Sequence, residues 1–213
     1  MLKGIIFDFD GVIAESVQVK TDAFVELYKQ YESNIVEKVL KHHEANGGMS
    51  RFEKIKFYHE SFLNKTITNN KLTELANQFS GLVVEKVIAA PYVPGALEYI
   101  QKSYDRYKLF ISTGTPTAEM KKILKGRKIA KYFTDVFGSP DKKEIHINKI
   151  INRYKLNVDE LIFIGDSPTD YDAGKVTGVE FILRLHEKNY HLFENYNSKT
   201  IKNFESLNIL NKE

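Results

Sequence analysis

The sequence contains no cysteine in its 213 residues. Disulfides, thiolate nucleophiles and cysteine-ligated zinc are therefore excluded, and the absence suits a reducing compartment. No apolar stretch is long enough to span a bilayer. The apolar run near the N-terminus is cut off by Asp8 and Asp10, which fits no secretory leader. A soluble cytoplasmic protein without membrane association is expected. No block of one charge sign occurs either. Lys and Arg total 31 against 28 Asp and Glu, a formal charge of +3, and the positives are dispersed, so nucleic acid is not an expected partner. There is no internal repeat and no low-complexity segment. The histidines (His42, His43, His59, His146, His186 and His191) share no metal-ligand spacing, so structural or solvated roles are expected for them. What remains is an ordinary globular composition, 42% hydrophobic and 28% charged, in a chain long enough to bury a core without covalent staples.

Short continuous apolar runs mark strands buried on both faces. They fall at Gly4–Phe7, Leu109–Ser112, Leu161–Ile164 and Val179–Leu183, with a weaker candidate at Tyr132–Phe137. Helical spacing separates them: Ala96, Leu97 and Ile100; Met120, Ile123 and Leu124; Ile147, Ile150, Ile151 and Tyr154. Alternation of strand and helix predicts a doubly wound, mostly parallel, Rossmann-like sheet. Residues 16–90 differ, having no strand-like run. Phe24, Leu27, Tyr28 and Tyr31 form one helical stripe, and Leu72, Leu75, Ala76, Phe79, Leu82 and Val83 form another. Ser50-Arg51-Phe52-Glu53 has capping-box spacing, and Ile55, Tyr58, His59 and Phe62 continue that helix on one face. The expected organisation is an α/β core of residues 1–15 and 91–213 with a helical bundle, residues 16–90, inserted after the first strand. The Asn- and Lys-rich tail from Asn189 carries one apolar patch, Phe204 to Leu210, which predicts a short helix or a frayed end.

In a parallel doubly wound sheet the carboxyl ends of the strands share one edge, where ligands bind. Here those ends carry reactive groups: Asp8 and Asp10 after the first strand, Thr113-Gly114 after the second, and Asp166 with Asp170 after a later one. Crowded carboxylates cannot all stay ionised unless a cation joins them, and oxygen-only ligands point to magnesium. The Thr113 hydroxyl, the Gly114 amide and a lysine of the Lys142-Lys143 pair suit a phosphate. Thr113 could equally cap a helix.

These motifs resemble the haloacid dehalogenase superfamily. Asp8-Phe9-Asp10-Gly11-Val12-Ile13 resembles its first motif, Thr113-Gly114-Thr115-Pro116 the second, Lys143 the third, and Gly165-Asp166-Ser167-Pro168-Thr169-Asp170 the fourth. The helical insertion, and the return at Tyr92-Val93-Pro94-Gly95, resemble the α-helical cap of the phosphoglycolate phosphatase and β-phosphoglucomutase branch. The resemblance implies a magnesium-dependent phosphatase acting on a small phosphorylated metabolite, as a monomer or homodimer. It implies that Asp8 attacks phosphorus and that Asp10 is the acid and base. It also implies that Asp8, the Asp10 carbonyl, Asp166 and Asp170 hold or orient Mg2+, while Thr113, Gly114 and Lys143 bind the phosphoryl group. Dehalogenases and phosphonatases resemble the pattern but lack the acid at the position of Asp10. Arg51, in the inserted bundle, resembles cap residues that reach substrate; Glu15 and Lys20, near the first hinge, are further candidates for specificity. A phosphomutase shares every one of these motifs, and a receiver-like signalling domain shares the aspartate, magnesium and sheet.

Overall fold

The computed structural model describes residues 1–205 and 207. Among them, six strands form one all-parallel sheet: β1 (Gly4–Phe7), β2 (Lys108–Pro116), β3 (Asp135–Ser139), β4 (Leu161–Gly165), β5 (Glu180–Arg184) and β6 (Lys199–Ile201). Their order is β3-β2-β1-β4-β5-β6. The order reverses at β1, whose two neighbours are reached by crossovers in opposite directions. That reversal opens a crevice above the carboxyl ends of β1, β2 and β4.

Both faces of the sheet are covered because its strands are apolar at successive positions. Ile5, Phe7, Leu109, Ile111, Ile162 and Ile164 face one core, shared with α5 (Ala96–Ser103) and α6 (Thr117–Gly126). Ile6, Phe110 and Phe163 face the other, packed on α7 (Lys143–Tyr154) and α8 (Pro168–Thr177). Phe7 is fully buried, and burying one such side chain stabilises a fold by roughly 2–3 kcal/mol.

Between β1 and β2 stand α1 (Val17–Tyr28), α2 (Ser33–Ala45), α3 (Arg51–Phe57) and α4 (Asn69–Ala89). Thr68 caps α4 by accepting from the Lys71 amide at 3.3 Å. Leu75, Ala76, Phe79, Val83 and Val87 make its buried stripe. The exit of α4 is tied to the α/β part by Arg127, whose guanidinium donates to the carbonyls of Val87, Ile88 and Ala90 at 2.9, 2.9 and 2.7 Å. Those are end-of-helix acceptors with no partner inside the helix. No helix of the described residues is long and apolar enough to cross a membrane.

Several expectations shift. The helix beginning at Arg51 stops at Phe57 and passes into a π-helical turn over Tyr58–Phe62, so its apolar stripe is continued by a wider turn. Ser50 caps it by accepting from the Phe52 amide at 3.3 Å. The weak strand begins at Asp135 rather than Tyr132, because Ala130–Tyr132 forms a 3-10 turn. Strand β2 runs on past Ser112 to Pro116, with an irregularity in its pairing between Thr113 and Pro116. In the tail, Lys199–Ile201 adds a sixth strand beside β5, and Phe204 is buried on Phe7 and Tyr99. The helix expected over Phe204–Leu210 lies mostly outside the described residues.

Candidate active site

The chain leaves β1 through a turn that only glycine permits at one point. Gly11 has φ +76, and a Cβ there would lie 2.0 Å from Asp166 Oδ2. This close approach sets the first acidic turn against the loop after β4. Asp8, Asp166 and Asp170 offer carboxylate oxygens that all lie within 4.8 Å of one another, and all three side chains are buried. Lys143 opens α7 beside them. Its ammonium pairs with Asp170 and lies 3.1 Å from Asp8 Oδ1. Asp170 also holds the start of α8, accepting from the Ser167 amide at 3.1 Å. Lys142 is the exposed residue at the N-cap position of the same helix and makes no side-chain capping bond, so Lys143 is the member of the pair that stands beside the acids.

One ammonium does not balance three buried carboxylates. Burial pushes the Asp8 carboxyl up to about 7, against the pull of Lys143 and with the repulsion of Asp170 and Asp10. Burial raises Asp166, although His186 opposes it, and raises Asp170, although Lys143 opposes it. Lys143 is penalised by the same burial, yet Asp170 and Asp8 outweigh that and hold it above the usual lysine range. Asp8 Oδ1 is buried without a well-aligned hydrogen bond. A buried carboxylate oxygen with only a poorly aligned ammonium beside it, inside an all-oxygen cluster, is what a hard divalent cation would satisfy.

The Asp10 carboxylate turns instead toward the cavity. It accepts from Ser16 Oγ at 2.6 Å and pairs with Lys20, whose ammonium also donates to Thr115 Oγ1 at 2.7 Å. Lys20 comes from α1, so a helix of the insertion orients an acid of the sheet edge. Thr113 is not the helix cap, since α6 begins after Pro116. Its Oγ1 accepts from the Thr115 amide at 3.2 Å, and with Gly114 it lines the cavity. Glu15 does not line the cavity; it pairs with Arg184, whose guanidinium also donates to the Gly11 carbonyl at 2.8 Å. Arg51 lines the cavity, but its guanidinium forks onto Glu119 of α6 and donates to Ser80 Oγ at 2.6 Å.

The cavity, about 360 Å³, lies between the sheet edge and the inserted helices. Several of its features are not apparent in the motifs. Gly48, at φ +77, presses against the catalytic edge: a Cβ there would lie 2.2 Å from Thr169 Oγ1 and 3.1 Å from Lys143 Nζ. Its neighbour Gly47 accepts a hydrogen bond from Thr169 Oγ1 at 2.8 Å. His186 Nε2 lies 3.0 Å from Asp166 Oδ2, and Asn189 Nδ2 donates to the Asp166 carbonyl at 2.8 Å. His43 and Lys54 line the insertion's side of the cavity. A Gly-Gly pair ahead of a helix cap was the one local signal for the Gly47-Gly48 contact. His186, twenty residues from Asp166, gave no such signal.

The family described as haloacid dehalogenase-like hydrolase matches residues 5–184. A phosphoglycolate phosphatase of Vibrio parahaemolyticus is 30% identical over 93 residues, 41% of this chain and 40% of the relative. One from Salmonella typhimurium is 28% identical over 125 residues, 56% of this chain and 49% of the relative. The matched segments thus span half or less of those curated relatives. The structure of CbbY from Rhodobacter sphaeroides in complex with xylulose-1,5-bisphosphate superposes with a TM-score of 0.76 at 16% identity, covering 98% of this chain and 97% of that one. At that identity the likeness is one of fold.

Proposed function

The chain belongs to the haloacid dehalogenase-like hydrolase family, and we propose that within it the protein is a magnesium-dependent phosphatase of small phosphate monoesters. The observation that carries this reading is the buried cluster of Asp8, Asp166 and Asp170 with the Lys143 ammonium beside Asp8, of which Asp8 and Asp166 line a cavity that Asp10 also enters. Asp8, Asp166, Asp170 and the Asp10 carbonyl are the groups that would hold Mg2+. When bound, the ion would neutralise the acids and polarise the phosphoryl oxygens.

The chain's own residues supply the remainder. Asp8 forms a bond from its carboxylate oxygen to phosphorus as the phosphorus–oxygen bond to the leaving alcohol breaks. Asp10, held by Ser16 and Lys20, gives the alcohol its proton and later takes one from the water that attacks the aspartyl phosphate. Lys143 and the donors at Thr113 and Gly114 meet the charge on the phosphoryl oxygens. Free phosphate then leaves. The phosphoglycolate phosphatases among the relatives, and the phosphorylated sugar held by CbbY, support a small phosphorylated metabolite as substrate.

A panel of phosphorylated metabolites tests the proposal, with phosphate release measured in magnesium and again after chelation. Release in magnesium, abolished by chelation, is expected. Equal release with and without metal would contradict the site as drawn. A strict requirement for a catalytic sugar bisphosphate, with no net phosphate release, would assign the protein as a mutase instead.

A further inference from the structure

One of the buried and half-buried cations around the cavity differs from the others; Lys188, which also lines it, is exposed and donates to Gln18 Oε1. Lys20 has Asp10, Arg51 has Glu119, and Lys143 has Asp8 and Asp170. Lys54, on α3, has no carboxylate partner among the described residues. Its side chain is 2% exposed. Its Nζ lies 2.8 Å from His43 Nδ1 and 3.2 Å from the His43 carbonyl, with the Phe24 ring centroid 5.6 Å away. Both Lys54 and His43 line the cavity that holds Asp8 and Asp10.

A buried ammonium without a counter-charge is costly. Burial drives Lys54 well below the usual lysine range, and burial with Lys54 beside it drives His43 down as well. An apolar residue would fill this place with less strain on the fold. A lysine there gains its counter-charge when something negative enters the cavity, and at a buried position such a pairing is strong. In the proposed function the phosphoryl group that reacts is met by Lys143, which stands beside Asp8 at the sheet edge. Lys54 lines the cavity from the inserted helices, so it faces the part of the substrate that does not react.

We propose that Lys54, supported by His43, is a specificity-determining residue that receives a second anionic group of the substrate, a carboxylate or a second phosphate, carried away from the phosphoryl group being transferred. This deepens the phosphatase reading and rests on it. It names the substrate class as doubly anionic monoesters, phosphorylated acids or bisphosphates, in preference to monoesters with a neutral tail. Arg51 is less suited to the task in this arrangement, because Glu119 and Ser80 already occupy its donors.

Two matched pairs of esters test this: phosphoglycolate against glycol monophosphate, and a pentose bisphosphate against the pentose 5-phosphate. In the unmodified chain, kcat/KM is expected to favour the doubly anionic member of one pair by about thirtyfold or more, and which pair does so identifies the anion. Lys54→Met should cut that ratio at least tenfold, mainly through KM, and Lys54→Arg should restore part of it. Removing an amine that is buried without a counter-charge should leave Tm close to that of the unmodified chain, which separates the effect from misfolding. A ratio near one in the unmodified chain, or a ratio that Lys54→Met leaves unchanged, would overturn the proposal. If the chain hydrolysed no ester at all, the phosphatase reading would fail while this one stayed testable by calorimetry with phosphoglycolate. A tenfold loss of affinity in Lys54→Met would then support Lys54 as the anion's partner, and equal affinity would refute it.

Discussion

His146 shows how much a single buried side chain can decide away from the chemistry. It sits on α7 one turn beyond Lys143, 1% exposed, with Nδ1 3.0 Å from Ser112 Oγ and Nε2 3.2 Å from the Gly138 carbonyl. A neutral ring with its proton on Nε2 satisfies both, donating to Gly138 and accepting from Ser112. Burial, reinforced by Lys143, pulls its pKa down to about 4, against 6.5 in the unfolded chain. The folded state therefore binds fewer protons than the unfolded state between those values. The stability that the neutral ring contributes is complete above pH 6.5 and is lost as pH falls toward 4, by about 3 kcal/mol at most. Comparing urea unfolding of the unmodified chain with His146→Gln across pH 4–7.5 isolates this, because the carboxylates titrate in both. The stability advantage of the histidine should shrink as pH falls. An advantage that stays constant would show that the ring does not titrate in this window.

At the scale of elements, one of the contacts that join the two parts of the molecule is a loop of two glycines. The Gly47-Gly48 loop lies against Ser167, Thr169 and Lys143, and the carbonyl of Gly48 fills the space a Cβ at Gly114 would need, 2.4 Å from it. Gly48→Ala should therefore hold the insertion off the sheet edge. The left-handed backbone alone costs about 1 kcal/mol, so stability should fall modestly, while kcat/KM should fall at least tenfold. Steady-state kinetics beside a melting curve checks the split; activity within twofold of the unmodified chain would show that this contact does not gate the site. The elements legible in the sequence were those whose signal is local. β1, β2 and β4 read as strands because each holds a run of consecutive apolar residues, Ile5–Phe7, Leu109–Ile111 and Leu161–Ile164, and both faces are covered. β6 did not, because Lys199 and Thr200 are exposed on an edge strand with no apolar run. The acids were legible because strand ends announce them, and the lysine was legible only as one of the Lys142-Lys143 pair ahead of a helix. His43, Lys54 and His186 were not, since each gains its meaning from a partner that only the fold supplies.

At the scale of the whole molecule, the acid cluster makes stability depend on what occupies it. Three buried carboxylates with raised pKa values repel one another in the folded state only, where one lysine opposes them. A divalent cation that binds the folded chain and not the unfolded one adds roughly 2.7 kcal/mol at a hundred times its Kd. Magnesium should therefore raise Tm by several degrees at neutral pH, and Asp166→Asn should remove most of that rise. A melting curve indifferent to magnesium would leave the cluster without its cation.

The covalent step itself can be caught most directly. Acid quench of a millisecond reaction with a substrate carrying a radiolabelled phosphoryl group, followed by peptide mapping, reports where the phosphoryl group rests during turnover. The expected result is up to one label per chain, on the peptide containing Asp8, formed only with magnesium and absent from Asp8→Asn. Label on any other residue, or label retained by Asp8→Asn, would contradict attack by Asp8.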